Sequence, residues 1–333
     1  MTKKICLTGI KPTGSPHLGN YIGMIKPALE LAKNPSHEAY YFIADYHALI
    51  VSHGKKDLQQ SIYEVTASWI ALGLDPNKVC LYLQSDIPEV TELNWILSCF
   101  TPKGLLNRAH AYKAKLDKNT EEDKDPDSGV SMGLYNFPVL MASDILFVGS
   151  HLVPVGSDQI QHIEIARDIA QSFNHTYGSV LQVPEASIQE QTKLVQGLDG
   201  RKMSKSYNNH IPLFLPEKKL RKMIMKITTD SLPPEAPKDP ATSVIYKLFE
   251  YFSNKAEQEE LKKAYAEGIG WGEAKQRLFE AINQELAEPR AKYEELMAQP
   301  EKIKDILKVG ANKVKPRAEK ILATVKKAIG VSL

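Results

Sequence analysis

Cysteine is scarce in this 333-residue chain: there are three, Cys6, Cys80 and Cys99. An odd number set in apolar runs argues against a disulfide framework and reads as reduced core thiols of a cytoplasmic protein. No Cys or His spacing matches a zinc site. No apolar run approaches the ~18 residues of a membrane span. The start, MTKKICLTG, places Lys3 and Lys4 before an interrupted stretch, so no signal peptide is expected. Charge of one sign is also lacking, since 42 Lys plus Arg against 40 Asp plus Glu leave a net charge of +2. That excludes a histone-like polycation or an acidic disordered tail as the whole molecule. Hydrophobic residues make up 43% and charged residues 25%, an ordinary soluble composition. The length leaves room for one large or two modest domains with a full core.

The near-zero balance hides an asymmetry. Residues 301–333 hold nine basic residues against three acidic ones, a surplus of six, so the other 300 residues sum to −4. A basic C-terminal segment on a near-neutral body is a candidate polyanion contact.

The first 85 residues alternate strand and helix patterns. Ile5 to Thr8, Ala39 to Ala44 and Val79 to Gln84 read as short buried strands. Leu18 to Ala32, with Pro27 inside, and Asp57 to Leu72 read as helices, the second stopped by Gly73-Leu74-Asp75-Pro76. A helix follows from Pro88 to Phe100, another from Tyr135 to Val148, then a strand end at Val153–Gly156 and a helix from Asp158 to Phe173. Residues 117–130 are nearly all charged or turn-forming and read as a mobile acidic surface loop. Beyond the Pro-rich stretch Leu232 to Pro240 the pattern is helical to the end. The fold class expected is α/β: a Rossmann-like parallel sheet in a domain over residues 1–205, ligands at the strands' C-terminal ends, and an α-helical domain over 206–333.

Two segments carry chemistry. Directly after the first strand comes Gly9-Ile10-Lys11-Pro12-Thr13-Gly14-Ser15-Pro16-His17-Leu18-Gly19-Asn20. A strand, a Gly/Pro turn and a helix start supply N–H groups suited to phosphate, with His17 and Asn20 three apart; a plain helix cap is the alternative. The second segment is Lys202-Met203-Ser204-Lys205-Ser206 in a polar loop. By composition this pentapeptide arises by chance with a probability on the order of 10⁻⁴. Its two ammonium groups and two hydroxyls suit a triphosphate, whereas most charge runs are solvated faces.

HLGN near the N-terminus with KMSKS about 180 residues later resembles the paired signatures of class I aminoacyl-tRNA synthetases. GNYIG (19–23), FPVLMASDIL (137–146), PVGSDQIQHIEIARDIA (154–170) and GWG (270–272) resemble the tryptophanyl-tRNA synthetase family in particular. The resemblance runs over almost the whole chain. It implies activation of tryptophan by ATP, loss of pyrophosphate, and transfer of the acyl group to the 3′ end of tRNA(Trp). It further implies a homodimer, a C-terminal helical domain that binds the tRNA anticodon, and Mg²⁺ accompanying ATP with no dedicated metal cage. The first step needs no strong base, because a carboxylate is already ionised at neutral pH. The task is alignment and stabilisation of charge on phosphoryl oxygens.

Carried over by position, the resemblance implies ATP contacts at Lys11, Pro12, Thr13, Gly19 and Asn20, and again at Gly156, Ser157 and Asp158. Asp158 reads either as a ribose acceptor or as an N-cap. Val195 matches an adenine contact, in a segment two residues shorter than the usual bacterial pattern. Lys202, Met203, Ser204, Lys205 and Ser206 complete the ATP set, and the catalytic set is His17, Asn20, Lys113, Lys202 and Lys205, with Lys113 equally readable as a surface lysine.

For the amino acid, Asp144 in the apolar run LMASDILF needs a donor partner if buried. The resemblance makes that partner the indole N–H; an Arg or an amide of the protein is the other reading. Gln159 and His47 match family contacts. Where bacterial relatives place a Tyr for the α-ammonium, this chain has Phe137, with Tyr135 two residues before. A tyrosyl-tRNA synthetase would share fold and signatures, but the first strand, ICLT, offers no Tyr hydroxyl for a substrate phenol. A non-catalytic RNA-binding relative would have no need of an intact KMSKS loop.

Overall fold

Residues 3–51, 54–156, 159–188 and 195–331 are described in the computed structural model. Five strands form one parallel sheet: β1 (Lys4–Ile10), β2 (His37–Ile43), β3 (Cys80–Leu83), β4 (Leu152–Val155) and β5 (Glu185–Ile188), in the order β3-β2-β1-β4-β5. Side chains alternate between faces along a strand. Tyr41, Ile43 and Leu81 therefore enter one core, and Tyr40, Phe42 and Tyr82 the other. A sheet apolar on both faces must be covered on both, which a parallel sheet achieves with its crossover helices.

Between β1 and β2 lie α1 (Leu18–Asn20), a π-helical segment Tyr21–Ile25, and α2 (Lys26–Ala32). The sequence reads as one helix here. Pro27 instead sits in the first turn of α2, where its missing N–H costs little, and Lys26 N donates back to Tyr21 O across the π turn. The next crossover holds α3 (Asp45–Ala48) and α4 (Lys55–Ala71). From β3 to β4 run α5 (Glu89–Phe100), α6 (Lys103–Leu106), α7 (His110–Glu121) and α8 (Met132–Leu146); α9 (Ile160–Tyr177) leads to β5. The expected loop over 117–130 is corrected in its first part, because α7 continues to Glu121. Asn119 is buried there, its amide donating to the carbonyls of Pro126 (2.7 Å) and Ser128 (2.8 Å), so one polar side chain ties the turn to the helix.

The rest is helical: α10 (Glu217–Ile224), α11 (Val244–Phe249), α12 (Lys255–Glu267), α13 (Trp271–Met297) and α14 (Pro300–Ile329). Residues beyond 205 share both cores with the sheet. Leu278 and Ile282 join Trp69 and Leu81, while Val314, Ala318 and Leu322 join Tyr40 and Tyr82. Gly310 brings α14 directly onto edge strand β3; a Cβ there would collide with Leu81 O. The basic tail is thus partly structural. Lys313 Nζ donates to Pro76 O (2.9 Å), Arg317 Nε to Val148 O (2.7 Å), and Lys326 pairs with Glu92 (2.7 Å).

With β1 between β2 and β4, the crossovers leave the sheet in opposite directions at the β1/β4 boundary. The crevice beyond these strand ends is the natural ligand site.

Candidate active site

The turn after β1 is built by glycine and capped by histidine. Gly14 has φ +86, a left-handed conformation, and a Cβ there would lie 3.2 Å from Lys205 Nζ. His17 is the N-cap of α1: its Nδ1 accepts from Asn20 N (3.3 Å) while Asn20 Oδ1 accepts from His17 N (3.0 Å). An accepting Nδ1 puts the ring proton on Nε2. Burial first, then His210 and Lys205, pull His17 down to about 4. The ring is therefore neutral near pH 7 and keeps one N–H donor. Lys11 is half-buried at the strand end with its ammonium pKa lowered by burial; Pro12 is buried and Thr13 exposed.

The KMSKS loop is fastened onto this turn. Leu18 N donates to Ile211 O (2.9 Å) and Leu213 N to Pro16 O (3.0 Å). Met203 is buried, its Sδ 3.2 Å from Gly19 N, and its own N donates to Val195 O at 2.8 Å. Val195 thus sits at the base of the loop, inside the core. Lys205 Nζ donates to Thr13 O (2.9 Å), and burial lowers the Lys205 pKa, opposed by Glu64. Ser204 and Ser206 share a hydroxyl contact of 2.7 Å at the start of a short 3₁₀ turn, and Lys202 is exposed. Sequence reasoning missed Asn209, which is buried. It accepts from Ser204 N (2.8 Å) and donates to Lys202 O (3.1 Å) and Asp199 (2.7 Å), clamping the loop from within. Its only signal was a second Asn directly after a turn.

The third group lies past the ends of β2 and β3. Asp144, on α8, is fully buried. His47 Nε2 approaches its Oδ2 at 2.8 Å, and Gln84 Nε2 donates to Oδ1 (2.8 Å) and Oδ2 (3.0 Å). Burial raises the Asp144 pKa, and the bonds from His47 and Gln84 oppose it. Phe137, two turns earlier on α8, packs edge-on between His47 (6.3 Å) and His162 (5.0 Å). Tyr135 is not a substitute donor, since its hydroxyl is held by Lys103 O (3.1 Å) and Asn107 (2.8 Å).

Gly156 directly follows β4 and accepts from Gln159 N (3.0 Å), which opens α9; Ser157 and Asp158 lie outside the described residues. Lys113 is not brought in by any contact. It is exposed on α7, one turn after His110, with no hydrogen bond or ion pair to the other site residues among the described residues. Nor do three His, Cys, Asp or Glu side chains gather as a metal site among the described residues.

This geometry can be set beside known proteins. The profile of the family described as tRNA synthetases class I (W and Y) matches residues 2–287. The chain belongs to that family. It is 51% identical over 332 residues to the "Tryptophan--tRNA ligase" of Neisseria meningitidis, covering 99% of each chain. It is also 51% identical to that of Xanthomonas campestris, covering 99% of this chain and 77% of the relative. Among solved structures, tryptophanyl-tRNA synthetase from Campylobacter jejuni, complexed with ADP and tryptophan, superposes with a TM-score of 0.89 at 43% identity, covering 98% of this chain and 99% of that one. The parallel sheet and the expected α/β class agree with this membership. No helix among the described residues is long and apolar enough to cross a membrane.

Proposed function

We infer that the chain is a tryptophan–tRNA ligase. It activates L-tryptophan with ATP to tryptophanyl-adenylate and pyrophosphate, then transfers tryptophan to the 3′ end of tRNA(Trp). The observation that carries the amino-acid choice is Asp144, a buried carboxylate that accepts hydrogen bonds beside an aromatic wall formed by Phe137 and His47.

The reaction divides along the sheet edge. ATP occupies the β1/β4 crevice. Lys11, Pro12, Thr13, Gly19 and Asn20 line one side, Gly156 stands on the other, and Val195 lies near the base; Ser157 and Asp158 complete the set of proposed ATP contacts. His17, neutral, donates from Nε2 to a phosphoryl oxygen. Lys202 and Lys205, with Ser204 and Ser206, follow the charge that builds on the departing pyrophosphate; Lys113, exposed on α7, is the third cation proposed for it. Tryptophan lies past β2 and β3, its indole N–H on Asp144, with His47 and Gln159 completing its site. Its carboxylate, already ionised, attacks the α-phosphorus, so the protein supplies positioning and charge. Mg²⁺ arrives with ATP and is held by phosphate oxygens and water. Residues from 206 onward, with the exposed lysines of α14, contact tRNA; the chain works in the cytoplasm as a homodimer.

Aminoacylation of tRNA(Trp) and tRNA(Tyr) transcripts with each amino acid tests the reading. Charging of tRNA(Trp) with tryptophan alone is expected. Charging of tRNA(Tyr) with tyrosine overturns it.

A further inference from the structure

Gln84 is tied at both ends of its amide, to Tyr46 N and to the Asp144 carboxylate. It is fully buried at the end of β3. Its Oε1 accepts from Tyr46 N at 3.1 Å. A backbone N–H can only donate, so the amide orientation is fixed and Nε2 must face Asp144. Beside this bond, Asp45 Oδ1 accepts from Ser85 N (3.1 Å), so the end of β3 and the start of α3 are joined twice. An ionised carboxylate offers about four lone-pair directions. Gln84 occupies one on each oxygen and His47 the second on Oδ2. One direction, on Oδ1, has no partner among the described residues.

We propose that Gln84 is the positioning residue that makes Asp144 an acceptor for a single N–H. This rests on the tryptophan reading and deepens it. The amide holds the carboxylate plane and favours its ionised form, so the one open lone pair meets a donor fixed in direction, as an indole N–H is. The titratable groups facing Asp144 are His47 on α3 and Tyr82 on β3, whose hydroxyl burial keeps protonated. His162 on α9 stands behind Phe137.

The test uses the full-length enzyme, tryptophan-dependent pyrophosphate exchange, and two variants. Gln84→Met removes the Nε2 donor to both Asp144 oxygens, together with the acceptor for Tyr46 N. Losing hydrogen bonds to a charged group, KM for tryptophan should rise about tenfold or more, with kcat and KM for ATP changed far less. The acid limb of kcat/KM for tryptophan should move to higher pH, since Asp144 is then ionised less readily. Gln84→Glu keeps the volume and the acceptor for Tyr46. Two carboxylates so close hold one shared proton, so the introduced carboxyl, while protonated, still donates to Asp144. This variant should work near neutral pH and lose tryptophan affinity as pH rises, an alkaline limb the parent lacks. Parental KM and pH profiles in both variants overturn the proposal, as does an equal rise in KM for ATP, which marks a general loss of structure. If the parent enzyme does not respond to tryptophan at all, the functional reading itself has failed, before Gln84 is tested.

Discussion

Lys205 Nζ donates to Thr13 O at 2.9 Å, joining side chain and carbonyl across 192 positions of chain. The contact places the loop's ammonium over the turn that follows β1. The two signatures meet because the segment 209–213 returns beside residues 16–18.

Lys205→Ala should therefore slow adenylate formation while leaving tryptophan binding nearly intact. A charged contact made as charge builds is worth about 10²–10³-fold in rate. Single-turnover formation of adenylate checks it. Since Lys205 lies outside both hydrophobic cores, the melting temperature should hardly move.

Asp144→Asn keeps volume but weakens the acceptor. Activation of tryptophan should fall, while the poor activation of phenylalanine changes little, because a site built around a hydrogen bond rejects a ligand lacking it by roughly 10⁴–10⁵. Measurement of kcat/KM for both amino acids decides the point. An unmoved ratio makes Asp144 a structural carboxylate.

How much of this was legible beforehand varies with the physical cause. Strands β1 to β3 announced themselves as apolar runs between turns, and HLGN and KMSKS stood out as rare local patterns. β5 did not, because Glu-Ala-Ser-Ile at a sheet edge is short and half polar. The π segment was hidden since Pro27 interrupts a ladder whose repair lies outside any 3.6-residue pattern. The place of α14 on β3 depends on Gly310, and a small residue in a helix does not say which surface it meets. Gln84 and Asn209 are polar groups buried by distant chain, so neither could be picked from its neighbours. Lys113 shows the converse: a matched position that no contact in the structure joins to the rest.

His17 gives a pH prediction. Its pKa, lowered from 6.5 to about 4 in the folded protein, means that the unfolded chain binds the extra proton between those values. Its contribution to stability is thus complete above about 6.5 and lost as pH falls toward 4. Denaturation midpoints from pH 7.5 to 4.5 should fall more in the parent than in His17→Gln. Equal falls would remove His17 from the acid response.

Gly310→Ala should cost up to about 3 kcal/mol, as overpacking against fixed backbone does, since the new Cβ would meet Leu81 O. Urea unfolding reads this directly. An unchanged midpoint would mean that α14 sits less tightly on β3.

The basic tail separates into two groups. Arg317→Gln should destabilise, since Arg317 donates to Val148 O. Neutralising exposed Lys308, Lys315, Lys320 and Lys327 should leave stability alone, raise KM for tRNA, and flatten the salt dependence of tRNA binding. Unchanged affinity and salt slope would make these lysines a solvated face.

The central claim is that this crevice joins ATP to tryptophan. Exchange of labelled pyrophosphate into ATP, run with each amino acid in turn and no tRNA, tests it most directly. The account predicts exchange that depends on tryptophan and collapses in Lys205→Ala and Asp144→Asn. Exchange driven equally well by tyrosine, or none with any amino acid, would contradict it.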